Sequence, residues 1–429
     1  MTAARPNPAS ADFHSALACV RSGDTVVAPL MPGGPLRLLE ALCARLGELK
    51  NITLICGDLE GRHAWLDAIP EGCANELKLL LLSGKAPRRA DLAIDWAPLP
   101  LYDVTRAFAT GAWRVDVALV AVTPPDDEGL HRVTPTLAWM REAMMVARDV
   151  VAEVSPHLPS LKGGNGIAPH RLTAWVESPA QPVTQARGVV DATSQAVARH
   201  VARLVGPQAC LQIGIGSLVE ALLVELRDGG ARDLGLHTGA LPEGVLDLID
   251  AGVFTNARNP HRPGKLYTMS ARGSEAMYAR LHQDPRVLLE SPSFIGDPHV
   301  IAALDHFTAI NSAMVVDLYG QVNAETVNGR LRTSGGGQMD YARAARLAKG
   351  GRGIIMLPST GGKDAATRIV PRLAAGDLVT THRCDVDFIV TEHGVADLRN
   401  TALKERARRL IAIAHPAHRE MLAKAAAAG

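Results

Sequence analysis

Residues 210–244 read CLQIGIGSLVEALLVELRDGGARDLGLHTGALPEG, and the signals in them run strand, glycine turn, helix, second strand. Leu211, Ile213 and Ile215 are strand-like, while Gly214 and Gly216 let the backbone turn sharply with no side chain in the way. Val219, Leu222, Leu223 and Leu226 then recur at helical spacing. Leu234-Gly235-Leu236 is a short second strand, expected to run into a polar loop, His237-Thr238-Gly239, before another helix begins. Turns of this kind at the carboxyl ends of parallel strands are where open α/β sheets bind ligands.

The same succession occurs near the start of the chain, as VVAPLMPGGPLRLLEALCARLGELKNITLICGDLEG. Both copies end with a glycine just after a strand and then a Glu-Gly pair, Glu60-Gly61 and Glu243-Gly244. Between and beyond them, strands are expected at 25–28, 51–56, 115–123, 149–154, 286–290, 309–317, 353–357 and 386–391. Helices are expected at about 135–148, 189–205 and 402–414. Alternation of this kind predicts an α/β protein with mainly parallel sheets. The stretch ESPAQPVTQAR at 177–187 reads as a linker. It divides the chain into two similar open α/β domains, 1–182 and 183–429, expected to face each other across a cleft.

At 429 residues the chain is long for one hydrophobic core, which agrees with two domains. A formal net charge of +1 gives no electrostatic reason to expect nucleic acid or an anionic membrane as partner. Aromatic residues make up 4%, too few for stacking platforms to dominate recognition. The six cysteines have no C-x-x-C spacing, so neither a zinc site nor a disulfide framework is expected, and no metal is assigned. No apolar stretch is long enough to span a bilayer and MTAARPNPASADF has no apolar leader core, so the expected location is cytoplasmic.

The sequence contains no G-x-x-x-x-G-K-[ST], H-E-x-x-H or G-x-S-x-G motif. Three clusters remain. Gly214-Ile215-Gly216 can present backbone N–H groups to an oxyanion or phosphate, or it is a plain strand-to-helix turn. Gly335-Gly336-Gly337, ahead of a helical stretch, suggests close backbone approach to a ligand, against a flexible loop as the alternative. INSAMVVDLYGQVN, residues 310–323, ends a buried strand in polar groups, with Asp317 within it and Glu325 just beyond. Those groups fit a site or a solvated turn equally well.

Taken together, LQIGIGSLVEALL, LGLHTGALPEGVLDLIDAGVFTN, INSAMVVDLYGQVNAE, SGGGQMDYARAA, VTEHGVADLRN and ERARRLIAIAHPAHREML resemble successive motifs of the acetyl-CoA hydrolase/transferase family. MPGGP, DVALVAVTPPDDEG and ARDVVAEVSPHLP extend the resemblance over the first half. It implies two α/β domains with acyl-CoA bound between them, and no permanently bound cofactor, coenzyme A being substrate. In such enzymes a glutamate attacks the thioester, an acyl-glutamyl anhydride forms, and CoA returns to give a glutamyl-CoA thioester. A second carboxylic acid then collects the CoA. The oxyanion hole would use the N–H groups of Ile215 and of Gly336 or Gly337. Gly214, Gly216, His237, Gly239 and Gly335 would line the acyl-CoA site, with Arg368 near the CoA phosphates. A homodimer or higher homo-oligomer is the expected assembly.

One departure stands out. The family's nucleophile follows His-Thr, where this chain has Gly239. The sequence then offers Glu60 as first substitute, from the matching place in the repeat, Glu243 as second and Glu325 as third. The expected activity is CoA transfer from a short acyl-CoA, with dicarboxylic ones such as itaconyl- or succinyl-CoA within its expected range, since Gly239 would empty space where a side chain would project. An acyl-CoA hydrolase and a non-catalytic acyl-CoA binder are the alternatives.

Overall fold

In the computed structural model, the described residues are 12–29, 32–57, 63–87, 89–362 and 365–428. The chain divides into two compact units, Met1–Gln185 with Tyr267–Ile295, and Ala186–Leu266 with Gly296–Gly429. Each is an open sheet with helices against it.

In the first unit the sheet runs, edge to edge, Ala93–Trp96, Leu77–Leu81, Ile52–Cys56, Thr25–Val27, Val117–Val122, Asp149–Val154 and Ala174–Glu177. All neighbours are parallel. Val117–Val122 and Asp149–Val154 are buried at every position, as expected of central parallel strands covered on both faces. Asp149 and Glu153 are the polar exceptions, and Glu153 is the more deeply buried. Burial pushes the Glu153 carboxyl up, opposed by hydrogen bonds from Ser178 Oγ and the Leu38 and Arg37 N–H groups. The last two are among the orphan donors at the start of helix Leu36–Ala44, so this carboxylate caps the helix from a strand. Segment Tyr267–Ile295 returns to this unit, and the contact is intimate at Gly163. Its φ is +142°, and a Cβ there would lie 2.0 Å from the Leu289 carbonyl oxygen.

In the second unit the order is Gly235–Pro242, Cys210–Gln212, Thr308–Ser312, Arg352–Met356, Phe388–Thr391 and Gly394–Asp397, with only the last pair antiparallel. Strand Cys210–Gln212 therefore has the next strand in sequence on one side and a later one on the other. Thr25–Val27 is flanked in the same way by Ile52–Cys56 and Val117–Val122. The repeated sequence pattern thus corresponds to a repeated sheet order around the first strand of each unit. Helix Ser217–Asp228 buries Val219, Leu222, Leu223 and Leu226, each worth about 1.5–3 kcal/mol of transfer free energy.

Several sequence expectations shift at their ends. The opening strand stops at Gln212, so Ile213 and Ile215 belong to the turn. His237-Thr238-Gly239 lies inside a strand, Gly235–Pro242, and not in a loop. The expected strand 309–317 is two, Thr308–Ser312 and Val315–Asp317. The helix expected at 135–148 is confined to Met140–Val146.

Candidate active site

Adjacent chain connections leave strands Cys210–Gln212 and Thr308–Ser312 in opposite directions, which makes their carboxyl ends the switch point of the sheet. A reciprocal amide pair marks it. Asn311 Nδ2 donates to Gln212 Oε1 at 2.9 Å, and Gln212 Nε2 donates to Asn311 Oδ1 at 3.3 Å. Asn311 falls in the third cluster singled out in the sequence, whereas Gln212 did not stand out there.

From Gln212 the chain enters the glycine turn. Gly216 takes φ +106° and immediately precedes helix Ser217–Asp228. A Cβ at Gly214 or Gly216 would meet nothing within 4 Å among the described residues. Among the described residues, the N–H groups of Gly214, Ile215 and Gly216 donate to no protein acceptor. Thr238 pins this turn to the neighbouring strand. Its Oγ1 donates to the Ile213 carbonyl at 2.6 Å and accepts from the Ile213 N–H at 3.3 Å. His237 is fully buried, its ring edge-on to Phe307 at 6.3 Å between centroids.

The second glycine cluster is built differently at each position. Gly335 is packed closely: a Cβ there would lie 3.1 Å from Thr380 Cγ2 and 3.4 Å from Glu325 Oε1. Glu325, the third-ranked carboxylate, is thereby placed against the glycine backbone. Gly336 has φ +56°, and among the described residues a Cβ there would meet nothing within 4 Å. Among the described residues, the N–H groups of Gly336 and Gly337 also donate to no protein acceptor. Helix Gln338–Ala345 follows at once, with Tyr341 N–H closing the first turn onto the Gly337 carbonyl.

That helix carries the residue the sequence reading missed. A Cβ on Gly239 would lie 3.0 Å from the Tyr341 hydroxyl. The expectation that Gly239 leaves an empty space needs correction, because the phenol reaches into it. Tyr341 is buried and its ring lies 6.5 Å from that of Phe307. Desolvation, with Asp340 adding to it, pushes the phenol well above its usual range, so it is a neutral O–H donor at any working pH. The only hint in the sequence was an aromatic one turn after the third glycine of the cluster.

Glu243 directly precedes helix Gly244–Asp250. Arg187 lies 3.7 Å from its carboxylate and 3.1 Å from that of Asp247. Behind them Glu220 is buried, its Oε2 2.8 Å from where a Cβ on Gly244 would stand. Burial raises the Glu220 carboxyl, Arg187 opposes the rise, and Glu243 and Asp247 add to it. The folded protein therefore holds this proton more tightly than the unfolded chain. Stability from Glu220 is fullest below about pH 4.3, the unfolded value, and is lost as pH rises through the folded one. Glu220→Gln is accordingly expected to raise the melting temperature at pH 7.5, with the gain vanishing near pH 4. A gain independent of pH would contradict this account.

Arg368 packs its guanidinium against Gly361, so closely that a Cβ there would clash with its Nε, Nη2 and Cζ atoms. Its backbone N–H donates to the Ser359 carbonyl, and Ser359 in turn donates to Glu392. Glu60 lies outside the described residues. Among the described residues, no group of three His, Cys, Asp or Glu side chains is arranged to hold a metal ion. No helix of these residues is long and apolar enough to cross a membrane.

Residues 89–180 match the acetyl-CoA hydrolase/transferase N-terminal domain and residues 273–426 match its C-terminal domain. The succinyl-CoA:cyclohexane-1-carboxylate CoA transferase of Geobacter metallireducens is 32% identical over 96% of this chain and 93% of its own. The chain belongs to the acetyl-CoA hydrolase/transferase family. Within it, the 4-hydroxybutyrate coenzyme A transferase of Clostridium kluyveri is 36% identical over 76% of each chain. Acetyl-CoA hydrolases, that of Yarrowia lipolytica among them, are also relatives. The crystal structure of RipA from Yersinia pestis superposes with a TM-score of 0.90 at 29% identity, covering 97% of this chain and 96% of that one.

Proposed function

We propose that this protein is a CoA-transferase that moves CoA from a short acyl-CoA to a carboxylic acid through a glutamyl-CoA thioester. The observation that carries the reading is the set of unused backbone donors at the two glycine clusters. N–H groups of Ile215 and of Gly336 or Gly337 are fixed in place and have no protein acceptor among the described residues. Preorganised donors of this kind stabilise the oxyanion that forms when a thioester carbonyl is attacked. Gly239 follows His237-Thr238, where the family's nucleophile stands, and cannot attack. The nucleophile is then Glu60, from the equivalent place in the first half.

In the first step a Glu60 carboxylate oxygen adds to the thioester carbon, the C–S bond breaks, and CoA leaves as thiolate. The thiolate attacks the glutamyl carbonyl of the anhydride, releasing the acyl group as its carboxylate. An acceptor carboxylate then reverses both steps and leaves with CoA. No redox change occurs. Coenzyme A is substrate throughout, and the substrate acids include dicarboxylic ones.

Acyl-CoA consumption is expected to depend on an acceptor acid, and borohydride reduction after acyl-CoA incubation is expected to mark Glu60 in peptide mass spectrometry. Consumption with no acceptor present would support the second reading, an acyl-CoA hydrolase, which the acetyl-CoA hydrolases among the relatives favour. Binding without turnover would leave a non-catalytic acyl-CoA binder.

A further inference from the structure

We infer that Tyr341 determines specificity, donating a hydrogen bond from its phenol to a second oxygen on the acyl group and so selecting oxygen-bearing acyl chains over hydrocarbon ones. The inference rests on the proposed CoA-transfer reading, together with the expectation that Gly239 lines the acyl-CoA site.

The hydroxyl stands 3.0 Å from where a side chain on residue 239 would begin. Because residue 239 is glycine, nothing of its own stands between that hydroxyl and a bound group. The residue as a whole is only 6% exposed, its ring being packed, and among the described residues its hydroxyl has no hydrogen-bond partner. The hydroxyl oxygen is not one of the fully buried unpartnered atoms, so it remains reachable from outside the protein and free to meet a ligand atom. The atom it calls for is an acceptor. The phenol is neutral, held so by burial and by Asp340, and has a proton to give.

Placement is rigid as well. Tyr341 sits one turn into a helix that starts at the glycine cluster, and its ring packs toward Phe307, itself edge-on to His237. A fixed donor discriminates, because a bound acyl chain lacking the acceptor covers it without pairing it. Four-carbon chains isolate the effect: succinyl-CoA and 4-hydroxybutyryl-CoA end in oxygen, whereas butyryl-CoA ends in a methyl group.

The test compares the unaltered protein with Tyr341→Phe, using both kcat/KM and the calorimetric Kd for these three thioesters. In Tyr341→Phe the preference for succinyl-CoA or for 4-hydroxybutyryl-CoA over butyryl-CoA is expected to fall about 10- to 100-fold. Whichever of the two preferences falls identifies the oxygen as carboxylate or hydroxyl. Unchanged preferences for both would overturn the inference, as would an equal loss on all three thioesters. Gly239→Ala, which crowds the hydroxyl without removing it, provides the second variant and is expected to erode the same preference. Should the unaltered protein turn over none of the three, the proposed transfer activity fails, and the ratio of Kd values still decides the role of Tyr341.

Discussion

Glu60→Gln is expected to lower the rate of CoA transfer by at least about a thousand-fold, with no borohydride-sensitive adduct left on the protein. Glutamine keeps the shape of the side chain, but its neutral amide is no nucleophile and cannot form the anhydride. The size of the loss follows from the role. A residue that forms the covalent intermediate takes part in every step, so its removal leaves only what the oxyanion donors and binding contribute. The other carboxylates give the contrast. Glu243 lies by Arg187, and Glu325 rests against Gly335. Their replacement by glutamine is expected to cost less than about ten-fold, the scale of losing a positioning contact. A near-complete loss in Glu243→Gln, with Glu60→Gln active, would place the nucleophile in the second unit and reject the correspondence between the two halves.

How much of this was legible in the sequence depended on where periodicity carried the information. The strand, glycine turn and helix at 210–228 could be read because Val219, Leu222, Leu223 and Leu226 share one face, and all four are buried. The end of the opening strand could not. Ile213 and Ile215 alternate like strand residues, but the local arrangement is decided by Thr238, whose hydroxyl takes both hydrogen-bonding groups of Ile213. His237-Thr238-Gly239 looked like a loop because polar and glycine residues mark turns, whereas in the protein they continue a strand. The return of Tyr267–Ile295 to the first unit was equally silent. It is held by contacts more than a hundred residues apart, among them Thr136 with Ser270 and Glu142 with Ser291. Tyr341 was missed for the same reason, since only the fold brings its hydroxyl to Gly239.

That contact also predicts why the nucleophile cannot simply be put back at position 239. In a Glu60→Gln background, adding Gly239→Glu alone is expected to restore no transfer and to cost about 1–3 kcal/mol of stability, as overpacking does. The new Cβ would stand 3.0 Å from the Tyr341 hydroxyl, and the buried ring has Phe307 behind it. Tyr341→Phe removes that one atom. The nearest remaining ring atoms, Cε2 and Cζ, would lie 3.9 Å from the Cβ, an ordinary van der Waals contact. With Gly239→Glu and Tyr341→Phe combined in the Glu60→Gln background, stability is expected to recover and transfer to rise at least about ten-fold above Glu60→Gln alone. The borohydride-sensitive label should then appear at position 239. The two changes are in contact, so their effects should be strongly non-additive, and a double-mutant cycle in melting temperature measures this without reference to activity. Recovery by Gly239→Glu alone, equal to that of the combination, would mean that Tyr341 yields freely and does not hold the place. If the cycle shows the coupling but no label appears at 239, the phenol occupies that place while the oxyanion donors serve a carboxylate elsewhere, which is the arrangement the Glu60 reading requires.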